Sequence, residues 1–224
     1  FDLYDEKVRP LPMPKRLVMD AALTAYRNVE KYIYPKIEKT VSVSPYVNVR
    51  DAKFISEYIQ KPLDTIAIPG VDEKEFQNTG YGKYFFYASR FTPEKRFEYV
   101  IEAFRKFSDK KNGWKLVLAG YVLNKEKLEY IQKLKELSIG LDVEFKFDIP
   151  KEELRSLLSG AYAFLFAGVR EDWGVVIVEA MASEKPVISV NEGGPAYSIL
   201  EGKTGFLVNS PDEMSERMVY LAER

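Results

Sequence analysis

The sequence predicts an α/β fold in which helices cover a doubly wound, parallel sheet of six strands, with a small helix/strand segment ahead of it. Two observations support this prediction. From residue 84 onward, six short strand patterns alternate with helical patterns, and such alternation is typical of a parallel sheet. The second, fourth and fifth of these strands are apolar at consecutive positions, as expected for a sheet that is buried on both faces.

The amino-terminal segment, residues 1–79, is predicted to hold two helices, two short strands and connecting chain. Its prolines make residues 1–14 an extended arm, and apolar residues at helical spacing predict a helix over 15–38. Ser44 followed by Pro45 is a typical helix start, for a second helix that runs to about Ile59. The two strands are predicted at Thr40–Val43 and Asp64–Ile68. We place the domain boundary at the turn Gly80-Tyr81-Gly82, so that the second domain is residues 80–224.

The second domain contains the regular alternation of strands and helices. Its predicted strands are Tyr84–Ala88, Trp114–Ala119, Val143–Phe147, Tyr162–Ala167, Val187–Val190 and Gly205–Val208. Its predicted helices are Thr92–Ser108, Lys125–Leu137, Lys151–Leu158, Gly174–Ala182, a short one near Tyr197–Leu200, and Asp212–Ala222. In a Rossmann-like sheet of this kind, ligands bind outside the carboxyl ends of the strands. The residues that directly follow each strand are therefore the functional candidates.

Composition excludes several kinds of catalyst. The 224 residues contain no Cys and no His, so thiolate nucleophiles, imidazole bases and zinc sites built from these residues are absent. Lys and Arg number 33 and Asp and Glu 34, and this balance is untypical of a nucleic-acid-binding protein. Chemistry must come from carboxylates, Lys, Arg, hydroxyls and backbone dipoles. Plentiful Lys and Glu with scarce Gln favour a thermophilic source.

Two cations follow the first strand of the second domain. Arg90 leaves the strand end, and Lys95 is predicted to lie in the first turn of the next helix. Free backbone N–H groups and the helix dipole would add to their charge, so the pair is a candidate phosphate site. The alternative is a solvated surface Arg beside a Lys near a helix start.

Two carboxylates follow the fourth strand of the second domain. Glu171 lies in the loop, and Glu179 lies in the helix among apolar residues, where a carboxylate is costly without partners. Paired sugar hydroxyls are suitable partners, because a carboxylate accepts two hydrogen bonds side by side. A buried salt bridge would serve Glu179 equally well, and Glu171 is also explained as an acid at a helix start. The amides of residues 173–176 form the open helix end, a place for a diphosphate.

A glycine pair, Gly193-Gly194, follows the fifth strand and lets the backbone approach a ligand closely, although a simple turn explains it as well. No G-x-G-x-x-G follows the first strand of the second domain, and no G-x-x-x-x-G-K-[ST] is present in the sequence. These absences argue against a dinucleotide-binding oxidoreductase and against a P-loop NTPase.

Three runs in order carry a family resemblance. Ser89–Phe104, the E-x7-E stretch Glu171–Glu179 and Gly193–Val208 resemble the nucleotide-sugar half of retaining GT-B glycosyltransferases, in the family 4-like, group 1 set of mannosyl-, glucosyl- and related transferases. Upstream, Thr40–Phe76 is similar to the passage that joins the two domains of such enzymes. The resemblance implies that residues 80–224 are a donor-binding domain and that residues 1–79 are the end of an acceptor-side domain with the interdomain linker.

The resemblance also implies a role for each site residue. Arg90 and Lys95 would hold the donor diphosphate and stabilise the leaving nucleotide, and Glu171 would contact the donor sugar near the reacting carbon. Glu179 would bind the ribose hydroxyls. The remaining contacts implied for the nucleotide are the base at Phe147, Asp148 and Ile149, the phosphates and sugar at Trp173, Gly174, Val175 and Val176, and a close backbone approach at Gly193 and Gly194. Such enzymes need no metal, because cations and helix dipoles replace the ion.

The implied function is transfer of a hexose, of mannose or glucose type, from a UDP- or GDP-linked donor to a glycan or lipid-linked acceptor with retention, in polysaccharide biosynthesis. Tyr197 replaces the acid that the family usually places after the glycine pair. The first residue is Phe and most of an acceptor domain is missing, so we expect a fragment that is inactive alone. We expect a cytoplasmic location, with peripheral membrane association of the full enzyme. The alternative function is a non-catalytic nucleotide-binding subunit or scaffold that requires a partner chain.

Overall fold

The structure, a computed structural model, describes residues 9–122 and 127–224 and divides into two compact units, residues 1–67 and 68–224. The division lies before the boundary predicted at Gly80–Gly82, because the connecting segment packs with the second unit. Phe76 of that segment is part of the second unit's buried core. The amide of Gly82 donates to the carbonyl of Gly160, at 2.8 Å.

The first unit has a long helix, a two-stranded parallel sheet and a set of short helical turns. The helix Met13–Ile33 is followed by a 3₁₀ turn, Tyr34–Lys36, where a longer helix to residue 38 was predicted. Strand β1 is Val41–Ser42 and β2 is Thr65–Ile66, both within their predicted ranges. As expected, Ser44 caps the next helix, Pro45–Arg50, which is continued by the turns Ala52–Phe54 and Ile55–Ile59. The predicted extended arm, residues 1–14, lies largely outside the described residues, and its last two residues belong to the helix that begins at Met13.

The second unit holds the predicted parallel sheet of six strands. The strands are β3 (Tyr84–Ala88), β4 (Lys115–Gly120), β5 (Val143–Phe147), β6 (Ala163–Phe166), β7 (Val187–Val190) and β8 (Gly205–Val208). Their order is β5-β4-β3-β6-β7-β8, and every neighbouring pair is parallel. The chain therefore leaves β3 toward one edge of the sheet and returns beyond it, so β3 and β6 form the topological switch point at which such sheets bind ligands.

The helices of the second unit alternate with the strands as predicted, with shifted ends. Their bounds are Phe97–Ser108, Lys127–Leu137, Lys151–Gly160, Val175–Ala182, Pro195–Ser198 and Pro211–Ala222. The predicted start at Lys125 lies outside the described residues. One helix start was wrong in a way that matters for the site: Pro93–Lys95 is a 3₁₀ turn, and the α-helix begins only at Phe97 because Arg96 adopts a left-handed conformation with φ of 47°.

The core of the second unit is rich in aromatic side chains. Phe85, Phe86 and Tyr87 of β3 are fully buried, and so is Phe164 of β6. Full burial of a Phe side chain contributes on the order of 1.5–3 kcal/mol to the free energy of folding, so these side chains make the central strands a stable part of the sheet. The loops at the carboxyl edge are thus carried on a rigid support. Among residues 9–122 and 127–224, no helix has both the length and the apolar content to cross a bilayer.

Candidate functional site

A cleft of about 390 Å³ opens at the carboxyl ends of β3, β4 and β6, at the switch point of the sheet. It is lined by residues from the three strand ends and from two helices: Ala88, Ser89, Arg90, Lys95, Gly120, Tyr121, Leu154, Phe166, Glu171, Gly174, Val175, Val176 and Glu179. The four charged side chains that the sequence singled out are all in this set. The structure therefore brings together groups that lie up to 89 positions apart in the chain, from Arg90 to Glu179.

Lys95 reaches the cleft from the 3₁₀ turn rather than from an α-helix. Its carbonyl accepts a hydrogen bond from the buried hydroxyl of Tyr87, at 2.5 Å, and this bond fixes the turn over β3. Its Nζ pairs with Oε2 of Glu171 at 2.5 Å, and the two side chains are 11% and 25% exposed. The cation predicted for the phosphates and the acid predicted for the sugar therefore satisfy each other.

Arg96, the next residue, ties this turn to the strand ends. Its Nε donates to the carbonyl of Ala167 at 2.7 Å, and its guanidinium pairs with Glu192 at 3.0 Å. Ala167 immediately follows β6 and begins the loop that carries Glu171. These contacts hold the Lys95 turn beside the Glu171 loop.

The glycine pair Gly193-Gly194 packs against the backbone of the loop that carries Glu171. The amide of Gly194 donates to the carbonyl of Glu171 at 2.7 Å, and Gly193 has φ of 68°. A Cβ on Gly194 would lie 2.4 Å from the Cα of Trp173, which is closer than real contacts allow. The close backbone approach predicted at this pair is thus an approach to the chain's own loop, and neither glycine lines the cleft.

Arg90 is exposed and lines the cleft at the end of β3. Within the described ranges, 9–122 and 127–224, its guanidinium has no hydrogen-bond or ion-pair partner. A free guanidinium presents five N–H donors in a planar fork that matches phosphate oxygens. Arg90 therefore offers the cleft a cation that has no ion pair to break among the described residues when it binds an anion.

Glu179 lies on the helix Val175–Ala182 and is half-buried. It lines the main cleft and also a small cavity of about 20 Å³. In the part of the chain that the structure describes, its carboxylate has no hydrogen-bond or ion-pair partner, so the buried salt bridge considered as an alternative is absent there. Burial raises the pKa of Glu179, an effect that nearby Lys151 and Arg155 oppose.

The helix that carries Glu179 begins with an open end at the cleft. Gly174 precedes it with φ of 81°, and no side chain caps it. Gly174, Val175 and Val176 all line the cleft, so unbonded amides of the first turn are placed where an anion would lie. Trp173 is buried outside the cleft lining, and its indole Nε1 has no hydrogen-bond partner in the described residues.

The segment predicted to meet a base lies beside the cleft rather than in its wall. Phe147 packs on Phe91, with ring centroids 5.1 Å apart. Asp148 accepts a hydrogen bond from the amide of Val122 at 3.1 Å, and its own amide donates to Gly120. Ile149 packs against the core. Phe147, Asp148 and Ile149 do not line the cleft; the backbone of Asp148 supports the Gly120 turn that does.

Sequence reasoning missed the residues of the helix Lys151–Gly160 that approach the site. Leu154 lines the main cleft, and Lys151 and Arg155 line the small cavity under Glu179. Their spacing at i, i+3 and i+4 places them on one helix face, which was the only available signal. No group of three or more Asp and Glu residues able to hold a metal ion occurs among the residues described.

The family model "Glycosyl transferases group 1" matches residues 71–223. The chain is 36% identical over 143 residues to a GDP-Man:Man(3)GlcNAc(2)-PP-Dol alpha-1,2-mannosyltransferase of Xenopus laevis, covering 59% of this chain and 29% of that protein. It is 34% identical over 139 residues to a trehalose synthase of Pyrococcus horikoshii, covering 59% and 34%. The match thus spans about a third of the length of these relatives.

Solved structures of low sequence identity share the fold. The sucrose-phosphate synthase of Thermosynechococcus elongatus superposes with a TM-score of 0.71 at 20% identity, covering 89% of this chain and 53% of that one. HepE of Anabaena in complex with UDP superposes with a TM-score of 0.72 at 17% identity, covering 88% and 56%. Because the family model covers more than half of the chain and the fold agrees, the chain belongs to the group 1 glycosyltransferases of GT-B fold.

Proposed function

We propose that this chain is the donor-binding part of a retaining glycosyltransferase, which transfers a mannose- or glucose-type hexose from a nucleotide sugar to a glycan or lipid-linked acceptor. The observation that carries the proposal is the convergence of Arg90, Lys95, Glu171 and Glu179 on one cleft at the switch point. Cations and carboxylates around one cleft suit a ligand that is anionic in its middle and rich in hydroxyls at both ends. A nucleotide sugar has this arrangement.

The diphosphate would bind between Arg90, Lys95 and the open helix end at Gly174–Val176. These groups stabilise negative charge without a metal ion, because fixed cations and backbone amides need little reorganisation during the reaction. The charge to be stabilised grows as the bond between the anomeric carbon and the phosphate oxygen breaks. The same groups therefore bind the donor and favour departure of the nucleotide.

In the proposed transfer, the anomeric C–O bond to phosphate breaks and a bond from the acceptor oxygen forms on the same face. The acceptor's proton passes to the departing phosphate oxygen, so the configuration is retained and the atoms balance. Glu171 contacts the sugar hydroxyls and positions the reacting carbon. Glu179 accepts hydrogen bonds from the ribose hydroxyls, for which it is suited because it has no hydrogen-bond or ion-pair partner in the described residues.

The relatives support the donor class. A mannosyltransferase that uses GDP-mannose is among the matching proteins, and HepE was solved with UDP. Both names agree with a nucleoside diphosphate linked to a sugar. We propose a UDP- or GDP-linked donor, and a lipid-linked acceptor would bring the full enzyme to the cytoplasmic face of a membrane.

The first unit supports the proposal that residues 1–79 end an acceptor-side domain and linker. On the helix Met13–Ile33 the half-buried side chains are mostly charged, whereas apolar Leu17, Val18 and Tyr32 are 60%, 72% and 69% exposed. A two-stranded parallel sheet is also untypical of an isolated domain, since parallel sheets are normally buried on both faces. These features favour further polypeptide that completes this unit, and we expect no sustained transfer by the 224-residue chain alone.

A second candidate function, a nucleotide-binding subunit that acts only with a partner chain, is favoured by the same exposed apolar side chains. The two candidate functions differ in which polypeptide covers the exposed apolar side chains of the first unit, the rest of the same protein or a separate partner chain. Transfer activity in the full-length parent protein supports the enzyme. Activity or stable folding that depends on a second gene product supports the subunit.

Calorimetric titration with UDP-, GDP- and ADP-sugars tests the proposed donor site. We expect one of these donors to bind, and Arg90→Ala or Lys95→Ala to lower its affinity by about tenfold or more, because each loses a charge-assisted contact to phosphate. Lys203→Ala, an exposed cation on the turn before β8, is the matched control and leaves affinity unchanged. Equal affinity in all four proteins would refute the donor site.

A further inference from the structure

The small cavity under Glu179 is lined by three charged side chains, those of Lys151, Arg155 and Glu179. Its volume is about 20 Å³, room for one water molecule, and it lies between the core and the main cleft. Glu179 lines it from one helix, and Lys151 and Arg155 line it from another. The carboxylate and the guanidinium share this cavity, yet no hydrogen bond or ion pair joins them among the described residues.

The reason that they stay apart lies on the other side of the arginine. Nη2 of Arg155 forms an ion pair with Oε2 of Glu75, from the connecting segment. The guanidinium also lies over the ring of Phe76, 5.5 Å from its centroid. Lys151 is 3.9 Å from the same carboxylate oxygen of Glu75. Glu75 thus draws both cations toward the connecting segment.

The edge of Arg155 that faces inward is left unpaired. Its Nε is buried and has no hydrogen-bond partner in the described residues. A buried N–H donor without a partner is costly, so Arg155 would gain by turning toward a carboxylate across the cavity. Glu179 is the acidic residue that lines this cavity.

We propose that Glu75 is a positioning residue, which holds Arg155 away from Glu179 and so keeps the Glu179 carboxylate free to accept hydrogen bonds from a ribose. The inference rests on the proposed function, since it assigns a task to the residue that would bind the ribose. Without the charge of Glu75, the Glu179 carboxylate becomes the stronger partner for Arg155, which then pairs with Glu179 and occupies an oxygen that the nucleoside needs. Glu75 itself lines neither cavity, so it acts through Arg155 and not on the ligand.

The test compares four proteins: the wild-type chain, Glu75→Gln, Arg155→Met and the double variant. UDP, GDP and ADP are titrated first, and the one that binds the wild-type chain tightest is then compared with its 2′-deoxy form and with inorganic pyrophosphate. Glu73→Gln is the matched control, because it removes the same charge from the same 3₁₀ turn at an exposed position.

We expect Glu75→Gln to lower the affinity for the nucleoside diphosphate by about tenfold, which is the cost of a lost hydrogen bond to a charged group. The variant should also discriminate less between the nucleoside diphosphate and its deoxy form. Pyrophosphate affinity stays unchanged, which shows that the variant is folded and its phosphate site intact. Arg155→Met alone binds like wild type, and the double variant recovers the affinity that Glu75→Gln loses. The control Glu73→Gln also binds like wild type.

A double variant as weak as Glu75→Gln would overturn the inference, as would a Glu75→Gln protein with wild-type affinity. Failure of the proposed function gives a different result. If wild type binds the ribose and deoxy forms equally, Glu179 does not bind the ribose, and the inference falls together with that role.

Discussion

From the ion pair between Lys95 and Glu171 we predict two opposite effects of the substitution Glu171→Gln. The variant should bind pyrophosphate more tightly, and the folded protein should be less stable. Nζ of Lys95 is 2.5 Å from Oε2 of Glu171. A bound phosphate must share this cation with the carboxylate and is repelled by it. Gln keeps only a weaker, uncharged acceptor for Lys95, so the competition for this cation falls and the repulsion of the phosphate is removed.

The magnitude follows from how buried the pair is. Exposed ion pairs contribute about 0.2–1 kcal/mol, and removing one partner from a buried pair costs about 3–5 kcal/mol. With side chains 11% and 25% exposed, this pair lies between the two cases. Because Gln retains a hydrogen bond, we expect Glu171→Gln to change the free energy of binding by about 1–2 kcal/mol, which corresponds to about a fivefold to thirtyfold change in the binding constant.

Two measurements on the same protein test this prediction. Calorimetry should show pyrophosphate affinity raised by this factor, and denaturant unfolding should show stability lowered by about 1–2 kcal/mol. Glu223→Gln is the control, because it removes an equal charge from an acid that pairs with Lys111 outside the cleft lining. Unchanged or weaker pyrophosphate binding in Glu171→Gln would refute the idea that the two groups compete for one cation.

Two further predictions concern Glu179 and the glycine pair. Burial raises the pKa of Glu179 above its usual value of 4.5, against the opposing effect of Lys151 and Arg155 and with a smaller contribution from Glu75. The carboxylate form accepts the ribose hydrogen bonds, so nucleoside diphosphate affinity should fall as pH drops through this raised pKa. The assignment is contradicted if the Glu179→Gln variant loses the same affinity at acid pH in a calorimetric titration. Gly194→Ala should lower the free energy of unfolding by about 1–3 kcal/mol and weaken pyrophosphate binding, since its Cβ would displace the backbone of Trp173 and with it the open helix end at Gly174–Val176. Gly70→Ala, which meets no atom within 4 Å, is the control in chemical unfolding and calorimetry.

The parallel sheet was predictable because each strand is a local pattern of apolar and aromatic residues, consecutive in most strands and alternating with Glu144 and Lys146 in β5. The predicted bounds of β3, β5, β7 and β8 agree with the structure. The residues that mark each of these strands lie within the strand itself, so a local pattern records them. The switch point follows once the strands are known, and it directed attention to the loops that form the cleft.

The local conformation at Lys95 was not predictable in the same way. Thr92-Pro93 is a typical helix start, and the sequence gives no sign that Arg96 adopts a left-handed conformation. That conformation is stabilised from outside the segment, by the carbonyl of Ala167 and by Glu192, both more than 70 positions away. Tertiary contacts of this kind leave no periodic signal in the sequence.

The contacts around Glu179 show the same limit. An acid inside an apolar helix was a clear signal that a partner is needed, but a salt bridge and a ligand remained equal explanations. The pair of Glu75 and Arg155 joins residues 80 positions apart, and each is an ordinary charged residue in its own segment. Only the folded arrangement shows that Glu75 engages Arg155, whereas Glu179 faces the cleft without a partner in the described residues.

A crystal structure of the chain with the nucleoside diphosphate that it binds tightest tests the central claim most directly. The account predicts phosphate oxygens within hydrogen-bond distance of Arg90 and Lys95, and ribose hydroxyls within the same distance of Glu179. A nucleotide bound outside this cleft, or one whose diphosphate touches neither cation, would contradict it.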